Sequence, residues 1–230
     1  DRIVIPLKQT KSDKLWILAH DNRSEDLSGP YLEKIKKECK KLGVEVKVAY
    51  SDRLSLFKTI KSIKDIISQE KGNYIYVNVA SGSKIQAIAA MMACSLSKSS
   101  DNLKPFYAEP ESYAAFEGKQ QSFGIKDTIP LPLYAIHTPH PKLLAALKIV
   151  SEQPNQKITK KEMARIAEEQ EIITVNAEQE NHSQARFASL ESNIIAPLEK
   201  EWKFVEVEKI GRNRWIKITQ EGIDAAEFLI

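Results

Sequence analysis

The chain has 230 residues, 42% hydrophobic and 28% charged, with 8 Gly and 10 Pro, which excludes a disordered or fibrous polypeptide and suits one large domain or two small ones. No apolar run approaches the roughly 20 residues that span a bilayer, and no basic stretch followed by an apolar one opens the sequence, so a cytoplasmic protein is expected. The net charge of +3 is too small to announce a polyanionic partner, and it is unevenly spread: from Pro141 onward 13 Lys and Arg face 15 Asp and Glu, a net of −2, against 21 and 16, or +5, before it.

In chain order, Asp1, Ile3 and Leu7 favour a short opening helix. Such a helix implies a preceding strand, so the sequence is expected to begin inside a βα unit. The unbroken apolar run 15–19 predicts a central strand covered on both faces. Ser28 and Pro30 then start a helix with Leu32, Ile35, Cys39 and Leu42 on one face, and Gly43 stops it. Val44, Val46 and Val48 alternate with Glu45 and Lys47, the pattern of a strand nearer an edge.

Leu56, Ile60, Ile63 and Ile67 mark a second amphipathic helix, residues 74–79 a third strand, and Ile85, Ile88, Ala89, Met92 and Leu96 a third helix from about Ser83. Strands alternating with crossover helices predict a Rossmann-like α/β domain, a mostly parallel sheet with helices on both faces.

Around Pro130, Pro132, Pro139 and Pro141 the periodicity lapses. The expected division is a Rossmann-like domain over 1–135, a linker over 136–141 and a smaller domain over 142–230. In the latter, Leu143, Leu147 and Val150 face one helix, and Thr159 and Glu162 form a capping box opening a second over 160–169. A third helix, 183–199, buries Phe187, Leu190, Ile194 and Leu198. Runs 203–207 and 214–218, separated by a turn with Gly211 and Asn213, make a hairpin, and Thr219 caps a last helix. Three helices, a hairpin and a closing helix are the layout of a winged helix-turn-helix.

The turn Asn78, Val79, Ala80, Ser81, Gly82, Ser83, Lys84 leaves the carboxyl end of a parallel strand for a helix N-terminus, where free N–H groups favour an anion. Gly82 lets the backbone come close, the Ser81 and Ser83 hydroxyls can bond phosphate or ribose, and Lys84 can neutralise charge. A plain capped turn, with Ser83 as N-cap and Lys84 solvated, reads equally well. Neither GxGxxG nor GxxxxGK[ST] occurs, so no NAD or ATP site is expected. Cys39 and Cys94 read as buried thiols, and His20, His137, His140 and His182 show no metal-ligand spacing.

A duplex-facing case rests on Gln184, Arg186, Ser189 and Asn193 on the third helix, with His182 near its start, and on Lys209, Arg212 and Arg214 around the hairpin tip. Lys157, Lys160, Lys161 and Arg165 can add to it. Glu191, Glu199, Glu201, Glu206 and Glu208 oppose it if they share that face.

The run AsnValAlaSerGlySerLys on such a turn, before a winged helix, resembles the CRISPR-associated Rossmann-fold (CARF) family. The opening AspArgIleValIleProLeu followed by residues 13–18 is similar to archaeal CARF and winged-helix transcriptional regulators. Ala80 and Ser81 stand where the family commonly has Thr and Gly. The resemblance implies a homodimer that binds a cyclic oligoadenylate or related nucleotide through Ser81, Gly82, Ser83 and Lys84, with Asn78 bracing the loop. It leaves His20, Asp21 and Asn22, and Tyr107 and Glu109, as secondary candidates. The expected function is a ligand-responsive DNA-binding transcriptional regulator, with no catalytic residue, metal or cofactor; the alternatives are a ring nuclease cleaving its own ligand and an interaction module that never meets DNA.

Overall fold

A computed structural model describes residues 1–22, 28–97, 102–113 and 122–230. Its contacts divide the chain into two compact units, Asp1–His137 and Thr138–Ile230. The first unit runs α1 (Val4–Thr10), β1 (Lys14–His20), α2 (Gly29–Lys41), β2 (Glu45–Ser51), α3 (Leu56–Gln69), β3 (Ile75–Asn78), α4 (Lys84–Leu96), β4 (Leu103–Glu109), the short strands β5 (Ser112–Tyr113) and β6 (Ser122–Phe123), and β7 (Asp127–Pro130). It is the Rossmann-like α/β arrangement expected of alternating periodicities, including the opening helix.

The sheet differs from the expectation in one respect. Two parallel ladders form, β1 with β2 from Lys14↔Glu45 to His20↔Ser51, and β3 with β4 from Ile75↔Leu103 to Asn78↔Phe106. Among the described residues no ladder joins β1 to β3. Accordingly Leu15 to Leu18 are half-buried rather than enclosed, because β1 is hydrogen-bonded along one edge only. The Trp16 indole uses its N–H to donate to Glu70 at 2.8 Å, and the Lys14 ammonium reaches the same carboxylate at 3.0 Å.

On β4's other side lies β7, antiparallel, pairing Phe106↔Pro130 to Glu109↔Asp127. Periodicity lapses around Pro130, yet the ladder reaches that residue, because a proline at a strand end sacrifices no central bond. Behind the second ladder, Ile67 of α3, Cys94 of α4 and Leu103 of β4 are buried together, with Ile63, Ile75 and Val77 packed on them. The small buried face of α4, Ala89, Ala90 and Ala93, lets α3 pack close.

The second unit runs α5 (Pro141–Ser151), β8 (Lys157–Thr159), α6 (Lys160–Glu169), α7 (His182–Leu190), β9 (Val205–Ile210), β10 (Asn213–Ile218) and α8 (Gln220–Leu229). The third helix continues past α7 in widened π turns, Glu191–Ile195 and Pro197–Glu201. Pro197 explains this: it has no N–H to donate one turn back, so the register slips to bonds such as Ala196 N–H to the Glu191 carbonyl. The core joins Leu147, Val150, Met163, Leu190, Ile194, Leu198, Val205 and Ile216.

β10 is the middle strand of three, antiparallel to β8 and to β9. The hairpin turn is two residues long, closed by Ile210↔Asn213, with Gly211 at φ +62°, the conformation a glycine supplies at the first central position of a type II′ turn. Only half of the capping box expected at α6 forms. Thr159 Oγ1 accepts the Glu162 N–H at 3.2 Å, but the Glu162 carboxylate turns to Arg165, whose Nη2 lies 2.6 Å from it. A charged partner one turn away outcompetes a backbone N–H.

Candidate functional site

In the first unit the turn between β3 and α4 is held from three sides. Asn78 Oδ1 accepts the Ala80 N–H at 2.9 Å, and its amide donates to the Arg2 carbonyl at 2.7 Å. The Arg2 guanidinium returns a bond to the Ala80 carbonyl at 2.6 Å. Arg2 and Asn78 thus close a reciprocal brace across 76 residues of sequence, and Ala80 is buried beneath it. Nothing local in the sequence singled out Arg2, because its role exists only once α1 and β3 have come together.

Beyond Ala80 the chain turns through Gly82 at φ +94° and enters α4. Here a full capping box forms. Ser83 Oγ accepts the Gln86 N–H at 3.2 Å, while Gln86 Oε1 accepts the Ser83 N–H at 2.8 Å. Ser83 was legible in the sequence as the N-cap but Gln86 was missed as its partner, although the Ser-x-x-Gln spacing is the signal that would have found it. Ser83 is exposed but occupied as a cap, and of the other turn residues Gly82 and Lys84 are exposed and Ser81 is half-buried. No acidic residue stands in the first turn of α4, so the helix end and Lys84 give a local field favourable to an anion.

Two further candidates lie at strand ends. Tyr107 and Glu109 close β4: the Tyr107 hydroxyl sits 3.5 Å from that of Tyr113, whose ring lies under the Arg2 guanidinium at 5.4 Å, and Glu109 faces Lys126 at 3.5 Å. The bond to Tyr113, and then burial, push the Tyr107 hydroxyl above its ordinary pKa. At the end of β1, His20 is buried, its Nδ1 2.9 Å from Asp21 Oδ1, which also accepts the Asn22 N–H at 2.8 Å. Asp21 is thereby engaged in shaping its own loop.

The second unit treats the proposed duplex-facing residues in two ways. On the helices four of the proposed residues, Lys160, Arg165, His182 and Arg186, meet a carboxylate of the same unit. Arg186 Nη1 lies 3.1 Å from Glu168, whose other oxygen is 3.0 Å from His182 Nε2. Lys160 pairs with Glu191, and Arg165 with Glu162 and Glu169. Ser189 donates to the Thr174 carbonyl at 3.3 Å and accepts from the Asn193 amide at 3.2 Å, while Gln184 and Lys161 are exposed. On the hairpin, Lys209, Arg212 and Arg214 are all exposed, and Lys157 lies over the Trp215 ring at 5.4 Å.

The carboxylates expected to oppose phosphate if they shared its face are mostly engaged. Glu199 accepts the Val207 N–H at 3.2 Å, and Lys217 sits 2.9 Å from Glu206 and 4.0 Å from Glu208. Glu201 stays exposed.

Two family models match the chain: one described as "HFX_2341_N:-like, N-terminal" over residues 1–113, and the DUF6293 C-terminal winged helix domain over residues 142–230. The second unit is a winged helix. Its helices α5 to α7 and the β9–β10 wing follow the order read from periodicity. An α/β domain followed by a winged helix is also the layout of the CARF and winged-helix regulators that the sequence resembles.

The chain is 24% identical over 196 residues to "Uncharacterized protein MJ1513" of Methanocaldococcus jannaschii, covering 74% of this chain and 58% of that protein. Among solved structures it is similar to Can2 from Sulfobacillus thermosulfidooxidans in complex with cyclic tetra-adenylate, with 16% identity and a TM-score of 0.39 over 97% of this chain and 59% of that one. The chain thus spans a little under three fifths of either relative. Among the described residues no helix is long and apolar enough to cross a membrane.

Proposed function

We propose that this chain is a ligand-responsive, DNA-binding transcriptional regulator that works as a homodimer and senses a cyclic oligoadenylate or related nucleotide at the β3–α4 turn. The observation that carries the reading is the presence, in one chain, of a braced strand-to-helix turn with an outward cation and a winged helix with an exposed basic wing. Ser81, Gly82 and Lys84 would meet the phosphates, and the Arg2–Asn78 brace would fix the loop before the ligand arrives. Exposed Ile85 and Ile88 on α4, at 36% and 54%, support a surface for a second copy. A ligand that binds two arrangements of the dimer unequally would change the spacing of its two winged helices on DNA.

Calorimetry with cyclic tri-, tetra- and hexa-adenylate tests the sensor. One ligand per dimer, lost in Lys84→Ala, is the expected result. If none of the three binds to a folded protein, the nucleotide reading is overturned. Metal-independent shortening of the ligand during the titration would instead make the domain a ring nuclease. For the output, a gel shift in which neither free nor ligand-bound protein prefers any sequence to random duplex would remove the regulator.

One observation favours a second reading. The internal pairing of Arg186, Lys160 and Arg165 leaves α6 and α7 with little free positive charge, as an interaction module that never meets DNA would have. The same gel shift separates the two.

A further inference from the structure

The wing separates its charges by strand alternation. Val205, Val207 and Lys209 on β9 pair with Ile218, Ile216 and Arg214 on β10, so these six share one face. Val205, Ile216 and Ile218 are buried and Val207 packs on the core. Lys209 and Arg214 therefore continue the core-facing side of the hairpin beyond the end of the core, directly opposite one another and exposed. The carboxylates Glu206 and Glu208 stand on the other face, where Lys217 meets both.

Two cations facing each other across a ladder destabilise a hairpin unless an anion comes between them. Among the described residues neither Lys209 nor Arg214 forms an ion pair, and Arg212 at the turn adds a third charge two residues before Arg214. On α6 and α7, by contrast, Lys160, Arg165 and Arg186 are each held by a carboxylate.

We infer that the wing tip, through Lys209, Arg212 and Arg214, is the principal electrostatic contact of this domain with duplex DNA, gripping backbone phosphates, while Arg186 of α7 serves the fold. This rests on the DNA-binding reading and deepens it: the hairpin supplies affinity, and the third helix contributes neutral groups, Gln184 on α7 and Asn193 on its continuation. Because phosphates carry no sequence, removing the wing charges weakens specific and random duplex alike.

The test is fluorescence anisotropy of the full chain on a random duplex across a salt titration. In the wild type, log affinity should fall linearly with log salt concentration. Replacing Lys209, Arg212 and Arg214 together by Ala should lower the slope by about 2 to 3, near 0.9 for each phosphate no longer neutralised, and weaken binding at least about tenfold at low salt. Arg186→Ala should keep the wild-type slope, and Lys209→Ala alone should leave the melting temperature unchanged or raised, since it relieves a like-charge pair. A folded triple variant with the wild-type slope, or an Arg186→Ala slope reduced as much as the triple's, overturns the inference while the DNA reading stands. Absence of any salt-dependent binding by the wild type sinks both.

Discussion

Arg186 and Glu168 meet at 3.1 Å between α7 and α6, with about a quarter of each side chain exposed. The pair ties the third helix of the winged helix to the second, and His182 shares the carboxylate. Arg186→Ala leaves Glu168 with His182 alone and removes packing over Phe187, whose ring the guanidinium approaches at 5.9 Å. The expected cost is about 1 to 2 kcal/mol in urea unfolding, discounted for partial exposure. A destabilisation below the error of the measurement would show the pair to be incidental.

Glu70 sets an acid limit for the first unit. The Trp16 indole N–H, then the Lys14 ammonium, hold its carboxyl down at about 2, against an ordinary value of 4.5. A depressed folded-state pKa adds stability above the unfolded value and loses it as pH falls through the folded one. The melting-temperature gap between wild type and Glu70→Gln should therefore be widest above pH 4.5 and close towards pH 2. A gap independent of pH would mean that the bonds from Trp16 and Lys14 add nothing to the charged form.

Gly222 is the position in α8 where a side chain cannot fit. A Cβ there would lie 2.1 Å from the Phe204 carbonyl oxygen, a backbone atom with no room to retreat. Gly222→Ala should lower the stability of the winged helix by about 1 to 3 kcal/mol or more despite alanine's better helix propensity. Thermal unfolding of the variant decides it; an unchanged midpoint would mean that α8 shifts freely.

Asn78→Ala removes both bonds that hold the β3–α4 turn and the Arg2 carbonyl. The fold should lose about 1 to 2 kcal/mol, and nucleotide affinity should fall although no charge is removed, by a smaller factor than in Lys84→Ala, because the brace preorganises the loop. Calorimetry of the two variants side by side gives the comparison, and equal affinity in Asn78→Ala and wild type would show the brace to be purely structural.

Both cysteines should be silent until the protein unfolds. Cys94 is buried, and burial pushes its thiol up to about 12; Cys39 is buried as well and shifts in the same direction. Alkylation at neutral pH should label neither in the native protein and both in denaturant. Labelling of the native chain would reveal local opening of α2 or α4.

Periodicity by itself placed the longer helices and strands in order, because patterns of about 2.0 and 3.6 residues are properties of neighbouring side chains, whereas the short strands β5 to β8 carry too few residues to show a period and were not legible. Val44 to Val48, Leu56 to Ile67 and Leu143 to Val150 each took the form their spacing dictates. The Ser83–Gln86 cap was equally local. What the sequence could not decide is which partner each polar group would find once distant segments met. Arg2 reached Ala80, Trp16 reached Glu70, and Glu162 left its cap for Arg165. The division of β1–β2 from β3–β4, and the hairpin register that puts Lys209 opposite Arg214, arose the same way. Local pattern decides which face of an element is apolar; only tertiary structure sets the few ångströms between charges, and electrostatic function depends on those distances.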